Sequence, residues 1–199
     1  MRNKTVYLLR HGKIAIGGEQ RCYIGQVDIP LEAAGVCQAE RLQARLARVG
    51  FAAVYCSDLV RSWETARIIA GKTSARVEVR PKLREINLGE WEGLAFDEVA
   101  RRFPGEFEAR GKDIAYYRTP GGESFADCNQ RIVAAFHEIM AEAEEPVVIV
   151  GHAGVNRLIL CYVLGMPLTN LFRLRQDYGC INIIQYAGTS GQVKLLNSV

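Results

Sequence analysis

What the chain lacks narrows its possible work before any motif is considered. No apolar run in its 199 residues approaches the roughly 20 needed to span a bilayer. The first residues, Met1-Arg2-Asn3-Lys4, lead into only about five apolar ones, too few for the apolar region of a signal peptide. No membrane partner is expected, and the cytoplasm is the expected location. Histidine is scarce, with three in all and none at ligand spacing to a cysteine, so neither a structural zinc site nor any other metal is expected. The six cysteines (Cys22, Cys37, Cys56, Cys128, Cys161 and Cys180) include no C-x-x-C pair. They read as reduced thiols, with Cys37, Cys128 and Cys161 packing as small apolar groups inside helical patterns. There is no lysine and arginine block, and a net charge of +3 is modest, so no nucleic-acid partner is expected. Repeats, low-complexity tracts and linkers are also missing, which predicts one domain over residues 1–199.

What is present is a chain 49% hydrophobic with mean hydropathy near zero, the composition of a globular protein with a buried core. Val6-Tyr7-Leu8-Leu9 reads as a buried strand ending at Arg10-His11-Gly12, where Gly12 permits a turn with a φ that other residues resist. After a glycine-bearing loop from Lys13 to Ile29, Pro30 precedes a helix to about Arg48. Val36, Ala39, Leu42, Leu46 and Val49 form its apolar face. Ala52 to Cys56 is a second strand, and Ser57 or Asp58 is placed to cap the helix that follows it through Ala70. Arg76 to Val79 is a third strand, and Leu83 to Gly93 is irregular. Ala95 to Pro120 suggests short helices broken at Pro104-Gly105 and Gly111, a lid over about residues 94–122. Pro120 through Ser124 opens a long helix to about Glu142, with Phe125, Ile132, Phe136 and Ile139 on one face. Val147 to Val150 is a fully apolar strand leading into Gly151-His152-Ala153-Gly154, then a helix from Val155 to Leu164. Cys180 to Tyr186 and Gln192 to Leu196 close the chain as a strand pair, antiparallel across Gly188-Thr189-Ser190-Gly191. This alternation predicts an α/β sandwich with a mostly parallel sheet.

Four strands are each followed by a polar cluster: Arg10-His11-Gly12, Ser57-Asp58 with Arg61 one helical turn on, Arg84-Glu85, and His152. Open α/β sheets bind ligands beyond the carboxyl ends of their parallel strands, so the clusters are expected to meet at one edge. The group types suit phosphate, because guanidinium forks match its oxygens and hold their charge at any working pH. A neutral histidine can attack phosphorus, and a carboxyl group can protonate the departing oxygen and then activate water. Cations would carry the charge stabilisation, so no cofactor is expected. Glu90 and Glu92 lie close enough to compete with Glu85 for the role of acid, and spacing alone does not choose between them.

With these motifs in order, the chain resembles the histidine phosphatase superfamily. The resemblance rests on Val6 to Gly12, Ser57 to Ala66, Leu83 to Gly93 and Gly151 to Gly154, and covers nearly the whole length. It implies a phosphoglycerate mutase-like, three-layer α/β/α sandwich around a six-stranded mixed sheet, and a phosphomonoesterase acting on a small-molecule phosphate ester. It implies His11 as the nucleophile that becomes phosphohistidine, Glu85 as the proton donor, and Arg10, Arg61 and His152 as phosphate-binding groups. Tyr23 to Gln26 before Asp28 to Leu31, Phe172-Arg173 through Gly179-Cys180, and the ending Leu196-Asn197-Ser198 resemble the α-ribazole-phosphate phosphatases of cobalamin assembly. The chain departs from the family pattern at Lys13, Ile14, Gly17 and Ile24, where Glu-Thr, an asparagine and a polar residue are common. Backbone N–H groups of Gly17 and Gly18 are candidates to replace a lost contact. A phosphoglycerate mutase, a broad small-molecule phosphatase and a non-catalytic phospholigand-binding protein stay open as alternatives, as does self-association into a homodimer.

Overall fold

Six β-prone segments bounded by turns pair into one sheet. In a computed structural model that describes residues 3–17, 20–71, 73–187 and 190–199, the strands are β1 (Lys4–Arg10), β2 (Ala53–Cys56), β3 (Arg76–Val79), β4 (Val147–Gly151), β5 (Ile181–Ala187) and β6 (Ser190–Ser198). Their spatial order is β3-β2-β4-β1-β5-β6. The pairs β3·β2, β2·β4 and β4·β1 are parallel, while β1·β5 and β5·β6 are antiparallel. The expected mixed, mostly parallel sheet is therefore present. Of the expected final turn, Gly188 and Thr189 lie outside the described residues; Ser190 and Gly191 begin β6.

Alternation along the strands divides the core into two layers. Val6, Leu8, Tyr55, Val147 and Ile149 pack against α5 (Phe125–Glu142) and α6 (Ala153–Leu164). Leu9, Val54, Cys56, Val148 and Val150 pack on the opposite face against α1 (Ala33–Leu46) and α2 (Val60–Ala70). α5 starts under a capping box in which Ser124 and Asp127 bond each other's backbone, and all four expected core residues of its apolar face are buried.

Several local expectations are corrected. Val36 is 38% exposed and Cys37 is exposed, because α1 turns Gly35 inward one position earlier. That rotation follows from a close approach: a Cβ on Gly12 would overlap the Gly35 carbonyl, and one on Gly35 would overlap the Lys13 carbonyl. Gly12 thus serves contact with α1 and does not take a positive φ. Cys128 and Cys161 are buried as expected. Neither Ser57 nor Asp58 caps α2. The N-cap position is Leu59, and the first-turn Val60 N–H donates to Asp28 Oδ1 (2.7 Å) from a distant loop. Asp58 is taken up instead by Arg84, whose guanidinium holds its carboxyl below the usual carboxylate range. The segment after Gly93 forms α3 (Phe96–Arg102) and α4 (Pro104–Lys112). Pro104 separates them by opening α4, where its missing N–H costs nothing, but Gly111 lies within α4 and does not break it. No helix among the described residues is long and apolar enough to cross a membrane.

Candidate active site

Register explains why two histidines far apart in the chain meet. Arg10 lies opposite Gly151 on the parallel neighbours β1 and β4, so His11 and His152 leave the sheet side by side. Their ring centroids are 5.0 Å apart. His11 Nδ1 lies 2.7 Å from the Gly12 carbonyl, which makes it the protonated nitrogen and leaves the Nε2 lone pair free. Burial pushes the His11 pKa well below the ordinary histidine value, and the Arg10 and Arg61 charges push it the same way. The ring is neutral at pH 7 and competent to attack an electrophile.

His152 is fully buried and pinned on both edges. Its Nδ1 accepts from Arg61 Nε (3.3 Å), and its Nε2 donates to Ser57 Oγ (2.8 Å). Burial and then the Arg61 charge hold it, too, well below its usual pKa. Arg61 is the second residue of α2, with Nη1 donating to the Val27 carbonyl (2.7 Å) and Nη2 to the Gly25 carbonyl (2.5 Å). Three of its five N–H donors are thus committed, which leaves two. Arg10 stacks on Tyr178, with Cζ 3.7 Å from the ring centroid, and Nη1 donates to the Gln176 carbonyl (2.7 Å). Arg10 Nε is buried without a hydrogen-bond partner. Neither arginine pairs with a carboxylate among the described residues. Two guanidinium groups without a paired carboxylate, Arg61 buried and Arg10 half-buried, stand beside two neutral imidazoles and suit an anion, because a buried charge with no partner in contact is costly.

Glu85 reaches the same edge from the loop after β3. Its Oε2 accepts the Gly154 N–H (2.8 Å) at the start of α6, and its Oε1 accepts the Ile86 N–H (3.0 Å). The chain belongs to the histidine phosphatase superfamily. The match is to the model of branch 1 of that superfamily, over residues 6–199. As a member, it is a phosphoric monoester hydrolase. It is 29% identical over 195 residues to the adenosylcobalamin/alpha-ribazole phosphatase of Escherichia coli K12, covering 97% of this chain and 95% of that one. It is 31% identical over 178 residues to the glucosyl-3-phosphoglycerate phosphatase of Mycolicibacterium vanbaalenii, covering 85% and 78%. The crystal structure of the alpha-ribazole phosphatase from Shigella flexneri superposes with a TM-score of 0.88 at 29% identity, covering 98% and 96%.

In this family member the five expected residues converge, and Tyr178, Gln176, Arg110 and Arg131, which no sequence signal named, brace or line the site with them. Ser57, from an expected cluster, and Glu92, the rival candidate for the acid, brace it too. Arg131 donates to the Lys82, Arg84 and Glu85 carbonyls and forks onto Glu123, which clamps the loop that carries Glu85. The departures from the family pattern have structural uses. Lys13 turns outward to Glu32 (2.9 Å), and Ile14 is buried in a bridge with Leu31. Of the two expected backbone donors, Gly18 lies outside the described residues.

Glu85 also forms the inner end of a cavity of about 400 Å³. Tyr23, Ile24, Phe96, Phe125 and Phe172 make its walls apolar, and Arg110 and Arg157 reach into it from α4 and α6. Arg110 sits 5.5–5.8 Å from the Tyr23, Trp91 and Phe125 ring centroids, and Arg157 sits 5.1 Å from that of Phe172. The start of the α3–α4 segment is stitched to residues 21–23 through Tyr23 N–H to Leu94 O (2.8 Å) and Phe96 N–H to Arg21 O (3.0 Å).

Proposed function

We propose that the chain is a metal-independent phosphatase that works through a phosphohistidine and acts on α-ribazole 5′-phosphate. The phosphate dianion would sit on Arg10, Arg61 and His152, with the His152 Nε2–H turning from Ser57 Oγ to a phosphoryl oxygen. His11 Nε2 attacks phosphorus, forming the N–P bond as the ester P–O bond breaks. Glu85 gives its proton to the departing oxygen, and its carboxylate then takes a proton from water. That water attacks the phosphohistidine, frees inorganic phosphate and restores neutral His11. The observation that carries this reading is the pair of guanidinium groups, Arg61 buried and Arg10 half-buried and neither in an ion pair among the described residues, around a neutral imidazole with an open Nε2. The cavity beyond Glu85 supports an apolar, planar leaving group, with α3 and α4 acting as its lid over about residues 94–122 and the whole of residues 1–199 as one domain.

A second leaving group is favoured by one specific observation. Arg110 and Arg157 form no ion pair with any carboxylate among the described residues, which suits an ester whose leaving group carries a carboxylate, as a phosphoglycerate ester does. A phosphate-release screen over α-ribazole 5′-phosphate, glucosyl-3-phosphoglycerate and p-nitrophenyl phosphate separates the two. The first should be turned over with a kcat/KM at least about tenfold above the second. Rapid quenching should trap a protein-bound phosphate that is stable in alkali and labile in acid. Absence of phosphate release across the panel, or an acid-stable label, would sink the mechanism.

A further inference from the structure

Arg61 is held by a loop, and that loop is held by one carboxylate. The Gly25 and Val27 carbonyls accept from Arg61 only while the backbone of residues 25–27 keeps its curve. Glu92 supplies that constraint. Its Oε1 accepts the N–H groups of Gln26 (2.7 Å) and Leu88 (3.0 Å), and its Oε2 accepts those of Gly25 (3.1 Å) and Val27 (3.2 Å). A Cβ on Gly25 would overlap Glu92 Oε1, so the carboxylate lies against bare backbone. No lysine, arginine or histidine pairs with Glu92 among the described residues, and its carboxylate bonds go to main-chain N–H groups.

We propose that Glu92 is a positioning residue for the phosphate site: by fixing residues 25–27 it aims Arg61 at the phosphoryl oxygens. The proposal rests on Arg61 being a phosphate-binding group. A carboxylate suits the task because it offers acceptors on both oxygens and no donor. Glutamine would turn an NH2 group against one pair of backbone N–H donors, whichever way its amide faced.

The test is a double-mutant cycle with Glu92→Gln and Arg61→Ala, read as kcat/KM on p-nitrophenyl phosphate. Nitrophenolate leaves without protonation, so this substrate reports phosphate binding and is insensitive to the bond between Gln26 Nε2 and the Glu85 carbonyl (3.0 Å). Glu92→Gln should lower kcat/KM about tenfold when Arg61 is present, and change it by less than about twofold when Arg61 is already alanine. The loss should appear in KM and in the inhibition constants of phosphate and vanadate. Equal losses in both backgrounds would make Glu92 a merely structural residue and overturn the proposal, as would no loss in either. An Arg61→Ala enzyme with undiminished turnover would instead remove the site reading on which the proposal stands. If Glu92→Gln does not fold, Glu92→Asp keeps both oxygens at shorter reach, and the same cycle is read at smaller amplitude.

Discussion

The two ends of the site are built by different means. At the phosphate end, Arg10, His11 and His152 stand at or just beyond strand ends, and Arg61 stands in the first turn of a helix. Main-chain carbonyls, Ser57 and Tyr178 hold these groups. At the leaving-group end, the first residues of α5 and α6 form the floor, and the outer walls come from loops, from α3 and α4, and from a 3₁₀ turn over Leu168–Arg173. Phe96 and Phe172 remain 40% and 54% exposed there, and α4 buries none of its residues. Adjacent parallel strands fix positions to a fraction of an ångström, which bond making demands. Loops and short helices can be redrawn without disturbing the sheet, and they suit the choice of leaving group.

The hardest blow to this contrast falls on the phosphate end. His11→Ala removes the proposed nucleophile, and kcat should fall by on the order of 10⁴ or more for every ester tested, whatever its leaving group. Measurement of kcat across the substrate panel checks it; an enzyme retaining more than about one per cent on any ester would move the chemistry elsewhere.

A smaller and selective effect should follow at the other end. Phe172→Ala removes an exposed apolar wall that sits against Arg157 and meets Phe125 edge-on. It should lower kcat/KM for α-ribazole 5′-phosphate about tenfold and leave p-nitrophenyl phosphate within about threefold. Arg110→Ala should spare α-ribazole 5′-phosphate and cost a carboxylate-bearing ester about tenfold or more. Uniform losses across all substrates would show that the two ends do not divide the work.

The same division governs what could be seen in the sequence. Apolar runs followed by polar clusters marked three of the strand ends, because burial on both faces and a change to loop leave a composition signal, whereas β3, with Arg76 and Val79 exposed, shows only two β-prone valines. His11, His152, Arg10 and Arg61 were legible for that reason. Glu85 was legible only through family resemblance: three glutamates lie within eight residues, and only the folded loop shows Glu85 against α6 and Glu92 against the main chain of residues 25–27. The capping of α2 by Asp28 was hidden because the donor and acceptor are 32 positions apart. Gly12 was recognised as special for the wrong reason, since its need is set by contact with Gly35, a partner that no local pattern names. The leaving-group pocket was least visible. Its aromatics come singly from separate segments, and a lone Phe172 or Arg110 looks like any surface residue until the fold collects them.

The smallest expected effect concerns stability, and it touches only the phosphate end. His11 and His152 are buried neutral, both with pKa values well below the ordinary histidine value. In the unfolded chain each titrates near pH 6.5. Below that pH the unfolded state binds two protons that the folded state refuses, so unfolding becomes easier as the pH falls. The stability is fully present above about pH 6.5 and declines in the mildly acidic range, at up to about 1.4 kcal/mol per pH unit for each histidine. Between about pH 5.5 and 6.5 unperturbed carboxylates remain ionised, so the slope there belongs mainly to the histidines. Urea unfolding at steps across that window should show the decline in the native protein. The slope, as distinct from the absolute stability, should be roughly halved in His152→Ala. A stability that is flat from pH 7 to 5.5 would mean that these imidazoles take up protons in place. The phosphate end would then be looser, and closer in character to the leaving-group end, than its hydrogen bonds indicate.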